Sequence, residues 1–128
     1  MTFLSRFSPK IYAALRIVAG FMFALHGTQK LFGFPSGTPM TDNPMMLAAG
    51  IIEFVGGLMI ALGVGTRVAA FIASGEMAVA YFMVHAKDSF YPIENHGELA
   101  ALYCFLFLYI AATGPGTWSL GSKLRKKG

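Results

Sequence analysis

Charge is scarce in this chain of 128 residues: charged side chains make up 12% of it, about half the usual share of a soluble domain. A domain this small exposes too much surface to cover with so few charges, which excludes an ordinary water-soluble fold. Cysteine is nearly absent. Cys104 stands alone in an apolar run, which excludes an intramolecular disulfide or a paired redox motif. Its plain reading is a small buried apolar side chain. There is also no basic face. Arg6 and Lys10 sit at one end, and Lys123, Arg125, Lys126 and Lys127 at the other. Charge that flanks apolar segments orients membrane helices and does not bind nucleic acid. The first apolar stretch carries Arg16 and lacks a small-residue cleavage site, so it reads as a retained helix and not a signal peptide.

What the chain does have is apolar sequence, 55% of its residues. A spanning helix needs about 20 predominantly apolar residues. Four segments are predicted to qualify, at about 9–32, 44–62, 67–86 and 96–113, the last being short. Ser8-Pro9 and Asn43-Pro44 are start signals that place a capping side chain before a proline in the first turn. Thr66 is the expected cap of the third helix. Gly63 and Gly65 stop the second helix, and Gly114-Pro115-Gly116 stops the fourth. The expected fold is all-α: one integral membrane domain over 1–128, a four-helix transmembrane bundle. Counting Lys and Arg puts both termini in the cytoplasm. Arg6, Lys10, Arg67 and the four C-terminal charges then lie inside, with Lys87 and Lys30 outside.

The informative residues are charges within the spans, because each costs roughly 2.5–3.5 kcal/mol at the bilayer centre unless shielded or paired. Glu53 and Glu76 fall near the middle of helices two and three. Gly50 and Gly57 share a face with Glu53, and Ala69, Ala73 and Ala80 share one with Glu76. Small neighbours permit close helix approach, so both carboxyls are expected inside the bundle. Arg16 lies about 8 Å from the cytoplasmic end of helix one and is expected to pair with one of them. One arginine cannot neutralise two glutamates, so the other carboxyl is the functional candidate, protonated or otherwise partnered.

An outer layer comprises His26, Lys30, His85, His96 and Glu98. His26 and Lys30 are one turn apart on one face of helix one. Three of them also have a structural reading: Lys30 snorkelling to headgroups, His85 interfacial, and Glu98 forming a capping box with Asn95. Three histidines and a carboxylate invite a metal reading, but their spacing matches no metal motif and Lys30 would repel a cation, so no metal is expected.

Read together, these residues resemble the DoxX family, within the DoxX/DoxD group of small four-helix membrane proteins. The resemblance runs nearly end to end. It rests on His26-Gly27-Thr28-Gln29-Lys30-Leu31-Phe32-Gly33, Glu53 with Gly56-Gly57, Gly65-Thr66-Arg67, Glu76-Met77 and Ala80-Tyr81-Phe82. It continues through Pro92, Asn95, Gly97 and Glu98 to Gly114-Pro115-Gly116 and Trp118-Ser119. The family pattern has glycine where this chain has His96, which argues against His96 as a shared ligand. The resemblance implies an inner-membrane subunit of a quinone-linked oxidoreductase system, DoxD-type relatives being subunits of a thiosulfate:quinone oxidoreductase. On that reading His26, Lys30, Glu53, Glu76, His85 and Glu98, with Arg16, line a polar pocket for a quinone or small substrate. Nothing in the chain carries electrons by itself, so a quinone or a partner subunit must; the expected partners are membrane lipid and a redox partner subunit or a second copy of the chain. The alternatives are a membrane scaffold or chaperone without chemistry of its own, and a small-molecule transporter.

Overall fold

The computed structural model describes residues 2–127, with side chains described through Leu124. The described residues form helices joined by loops, with no strand among them. A short turn, Thr2–Ser5, precedes helix α1 (Ser8–Phe32); α2 is Pro44–Leu62 and α3 is Thr66–Ala80. A π-helical turn, Tyr81–His85, extends α3. A single turn, Pro92–Asn95, leads into α4 (Glu98–Thr113), and α5 (Leu120–Lys127) ends the chain. Three of these segments, Ser8–Phe32, Pro44–Leu62 and Thr66–His85, are long and apolar enough to cross a membrane, while Glu98–Thr113 is shorter.

The starts differ in detail from expectation. Asn43 caps α2 as predicted, its Oδ1 accepting from the amides of Met45 and Met46. Ser8 is already helical and the cap position falls on Phe7. Gly65, in the left-handed region, holds the cap position of α3, so Thr66 is the first helical residue. The fourth helix begins at Glu98, not at His96.

Four helices pack as two tight pairs, α1 on α2 and α3 on α4, joined along a thinner α2–α3 seam. The first pair is set by small residues. A Cβ on Gly20 would stand 2.5 Å from the Ala61 nitrogen, and one on Gly57 2.5 Å from the Ala24 nitrogen. Backbones this close gain van der Waals contact over a long line, which is what drives helix association where lipid removes the hydrophobic term. In the second pair, Ala69, Ala70 and Ala73 of α3 meet Tyr103, Phe107 and Ile110 of α4, with Phe23 of α1 against them. From α2 the fully buried core takes only Ile60, near its C-terminal end. Toward the other end of α2 the facing surfaces of α2 and α3 are not filled by core side chains.

The outer faces are the reverse of a soluble protein's. Phe21, Phe71 and Phe105 are 56%, 65% and 71% exposed, among many other large apolar side chains. In water this belt would drive association; in hydrocarbon it is the solvated face.

Two arginines tie the helix ends together. Arg16 is fully buried. Its guanidinium donates to the carbonyls of Ile60, Thr117 and Trp118 at 3.0, 3.0 and 2.8 Å, to Ala61 at 3.4 Å, and to Pro115. These are the last turn of α2 and the non-helical stretch after α4. The expectation that Arg16 pairs with Glu53 or Glu76 is therefore corrected. Register is the reason: Gly27 is level with Phe54, and it lies eleven residues, about 16 Å of helix, beyond Arg16. Arg16 meets the negative end of the α2 dipole and orphan carbonyls instead. Arg67 does the same for α4, donating to Ala111, Ala112 and Thr113.

A polar intramembrane cavity

Following the sequence from Gly50 to Glu53 leads into the site. Gly50 packs against the Lys30 and Leu31 side chains, so Lys30 enters the bundle level with Gly50, one turn from Glu53. Its Nζ reaches Oε1 of Glu53 at 2.7 Å. The Glu53 side chain is 2% exposed and that of Lys30 19%. Lys30 therefore points inward to a carboxylate and does not snorkel to headgroups. The pairing answers the question the two glutamates raise: Lys30, not Arg16, balances Glu53.

A cavity of about 480 Å³ opens beside this pair, between α1, α2, α3 with its π turn, and the start of α4. Phe23, His26 and Lys30 enter it from α1; Met45, Met46, Ile52 and Glu53 from α2; Glu76, Met77, Val79, Met83 and His85 from α3 and the π turn. His96, Leu99 and Tyr103 complete the wall. Of the residues singled out in the sequence, His26, Lys30, Glu53, Glu76 and His85 meet here. Arg16 sits at the other end of α1, and Glu98 is exposed in the first turn of α4, outside the cavity wall.

Glu98 also forms no capping box. The N-cap of α4 is Gly97, without a side-chain cap. Asn95 is instead a buried hub: its Oδ1 accepts from Gly97 N at 2.8 Å, and its Nδ2 donates to Ser89 O at 2.7 Å and to Tyr81 Oη at 3.1 Å. Tyr81 Oη donates to Phe90 O, and His85 Nδ1 lies 3.1 Å from Asn95 O. This network fixes the π turn and so aims Met83 and His85 at the cavity. Extra-wide turns of this kind recur at functional sites.

Two more residues belong to the wall: His96, which the sequence reading set aside as a ligand, and Tyr103, which it did not single out. His96 lines the cavity with φ 61°. That left-handed conformation is the physical reason glycine fits the family pattern there. Tyr103, 4% exposed, presents a hydroxyl without a hydrogen-bond partner among the described residues. Its signal in the sequence is a phenol on an otherwise apolar stripe of α4. Glu76, whose carboxyl neighbours that of Glu53, likewise has a buried Oε1 without a partner. Buried polar atoms are nearly always paired, so two orphans in one chamber leave hydrogen-bonding capacity there unused among the described residues. Among the described residues no three of His, Cys, Asp and Glu are grouped to share a metal ion.

The structure thus defines a helical membrane protein with a mostly apolar chamber, holding a few polar groups, inside its bundle. Residues 11–86, which carry α1 to α3 and the π turn, match the DoxX family, and the chain belongs to it. It is 47% identical to an uncharacterized protein of Haemophilus influenzae, across 99% of this chain and all of that one. It is 28% identical to the inner membrane protein YqjF of Escherichia coli, across 88% of this chain and 90% of YqjF. No solved structure matches it. Family, relatives and apolar helices together make this a multi-pass inner-membrane protein.

Proposed function

We propose that the chain crosses the inner membrane four times with both termini cytoplasmic, and that its cavity holds a quinone headgroup as part of a quinone-linked oxidoreductase system. For the crossing, α4 is the helix in question, since 16 residues span only about 24 Å of a core about 30 Å thick. The flanking segments make up the difference. Non-helical backbone is tolerated at membrane depth when it is buried in protein with its polar groups satisfied. Arg16 satisfies carbonyls after α4, and before it Asn95 and Tyr81 satisfy those of Ser89 and Phe90. For the orientation, Arg6, Lys10, Arg16, Arg67 and the C-terminal basic residues share one end, where no Asp or Glu lies. Reporter fusions at Gly128 should be active in cytoplasmic form and silent in periplasmic form; the reverse would overturn the topology.

One observation carries the ligand reading: Glu76 Oε1 and Tyr103 Oη are both buried and unpartnered in a mostly apolar chamber that also holds His26 and the Lys30–Glu53 pair. Sites of about 300–1,000 Å³ with apolar walls and a few convergent polar groups take small organic ligands. A quinone matches in kind, a flat apolar ring with two carbonyl acceptors. Phe23, Met45, Met83 and Leu99 offer the apolar walls. The Lys30 ammonium and the Tyr103 hydroxyl are the donors for its oxygens, and His26 is a third polar contact. Glu76 Oε1 is placed to hold or pass a proton. A bound quinone would supply the two-electron chemistry, and a partner subunit the electron path.

The test is lipid extraction and mass spectrometry of gently purified protein. Quinone should accompany the wild type, and His26→Ala and Tyr103→Phe should lower its occupancy with little change in melting temperature. A wild type free of quinone, purified with a bound protein partner, would replace this reading with the scaffold one.

A further inference from the structure

The cavity's lining is unusual in one respect. Several of its residues are also exposed on the outside of the bundle, and all of these but His96 are apolar. Met45 is 56% exposed, Val79 54%, Met83 43% and Val84 59%, and Ala48 is exposed beside them. Met45, Ala48 and Ile52 form one stripe of α2, and Glu76, Val79 and Met83 one stripe of α3 with its π turn. A residue that both lines a chamber and faces outward marks its mouth; these five place a mouth between α2 and α3 within the apolar belt, and His96 and Leu99, around the start of α4, are exposed as well.

The packing explains why the opening is there. α1–α2 and α3–α4 are the tight pairs, and the α2–α3 seam between them is the thinner contact. The short link between α2 and α3 closes the seam at one end, where Ile60 enters the core. One turn from Ile52 on the same face of α2, Gly56 is buried, yet a Cβ there would meet nothing within 4 Å. The seam therefore has unfilled width below the cavity as well as at its mouth.

We infer that the cavity is filled sideways from the bilayer, and that its ligand is a lipid-soluble amphiphile whose polar head sits among His26, Lys30, Glu53 and Glu76 while its apolar tail leaves through the α2–α3 seam. This rests on the ligand reading above and narrows it, since a water-soluble anion or sugar has no reason to cross an apolar mouth. Glu53 and Glu76 lie toward the inner end of the chamber, and Met45, Met83, Val79 and Val84 at its rim with His96. A head-first amphiphile thus meets apolar surface first and hydrogen-bonding groups last.

The experiment uses two probes with one headgroup, dimethoxy-methyl-benzoquinone without a tail and its decyl-tailed analogue. Each is titrated against the purified full-length protein in detergent micelles. The seam is narrowed by Ala48→Trp with Val79→Phe, both at exposed positions, and separately by Val84→Trp in case the double variant folds poorly. Phe105→Trp, on the lipid face of α4 outside the cavity wall, is the control. A tail without an exit holds its head out of the site, so the tailed probe should lose about tenfold or more in affinity, about 1.4 kcal/mol or more. The tail-less probe should change little with either seam variant, and both probes little with Phe105→Trp. If both probes respond alike to the narrowed seam, or neither responds, the tail does not use this route and the inference is overturned while the site stands. If the wild type binds neither probe, the quinone reading fails and the inference falls with it.

Discussion

Replacing Arg16 is the sharpest probe of how this bundle is held. Arg16→Met keeps much of the side chain's length and removes its donors. The carbonyls of Ile60, Thr117 and Trp118 lose partners at 3.0, 3.0 and 2.8 Å, and those of Ala61 and Pro115 lose theirs. A hydrogen bond to a charged group is worth roughly 1.5–3 kcal/mol, and an unsatisfied buried acceptor costs about 1–3 kcal/mol. The losses are not additive, because the stretch after α4 can shift toward water or headgroups once released. A net loss of about 3–5 kcal/mol is expected, comparable to removing one partner of a buried ion pair. Arg16→Lys should rescue only a small part, since one ammonium cannot fork to carbonyls on two sides. Thermal unfolding in mild detergent reads the loss, and limited proteolysis should show earliest cutting between Gly114 and Ser119. A double-mutant cycle with Glu53→Gln should give coupling near zero. Coupling above about 1.5 kcal/mol, or a lysine variant as stable as the wild type, would refute the carbonyl-clamp argument.

Three further outcomes follow from the geometry. Lys30→Met should destabilise by about 3–5 kcal/mol by stranding Glu53, and Lys30→Met with Glu53→Met should recover much of it; additive losses in the unfolding cycle would show that the pair is not coupled. Glu76→Gln should leave the melting temperature within a few degrees, because Oε1 makes no bond to lose and the amide nitrogen keeps a donor for the neighbouring Glu53 carboxyl, while quinone occupancy measured by mass spectrometry falls; a large stability loss with occupancy intact would reverse that assignment. Gly57→Val should part α1 from α2, since a Cβ there already stands 2.5 Å from Ala24 N; a cost of about 3 kcal/mol or more is expected from overpacking at backbone, and a wild-type melting curve would contradict the close contact.

The basic tail carries a separate expectation from the sequence, that Lys123 to Lys127 lies against anionic lipid. Lys123 is exposed, and the side chains of Arg125, Lys126 and Lys127 lie outside the described residues.

Composition and spacing determined much by themselves. Apolar runs of spanning length, Asn43-Pro44 at one start and glycines at the stops set three long helices and a shorter fourth within a few residues. These are local properties, because a backbone in lipid must satisfy its own hydrogen bonds within each segment. The sequence also flagged the buried charges, since any ionisable group in an apolar run is costly wherever it points. What it could not determine was who pairs with whom. Counting depth from the helix ends put Arg16 with the glutamates. Gly20, Gly27, Gly50 and Gly57 slide α1 and α2 into a register that puts Lys30 beside Glu53 and leaves Arg16 level with Ile60. Glu98 looked like a cavity residue from its place at the start of α4, but the rotation of that helix put Tyr103 on the wall and left Glu98 outside it. Partner choice depends on the relative depth and rotation of helices, which close backbone contacts decide and no single segment encodes.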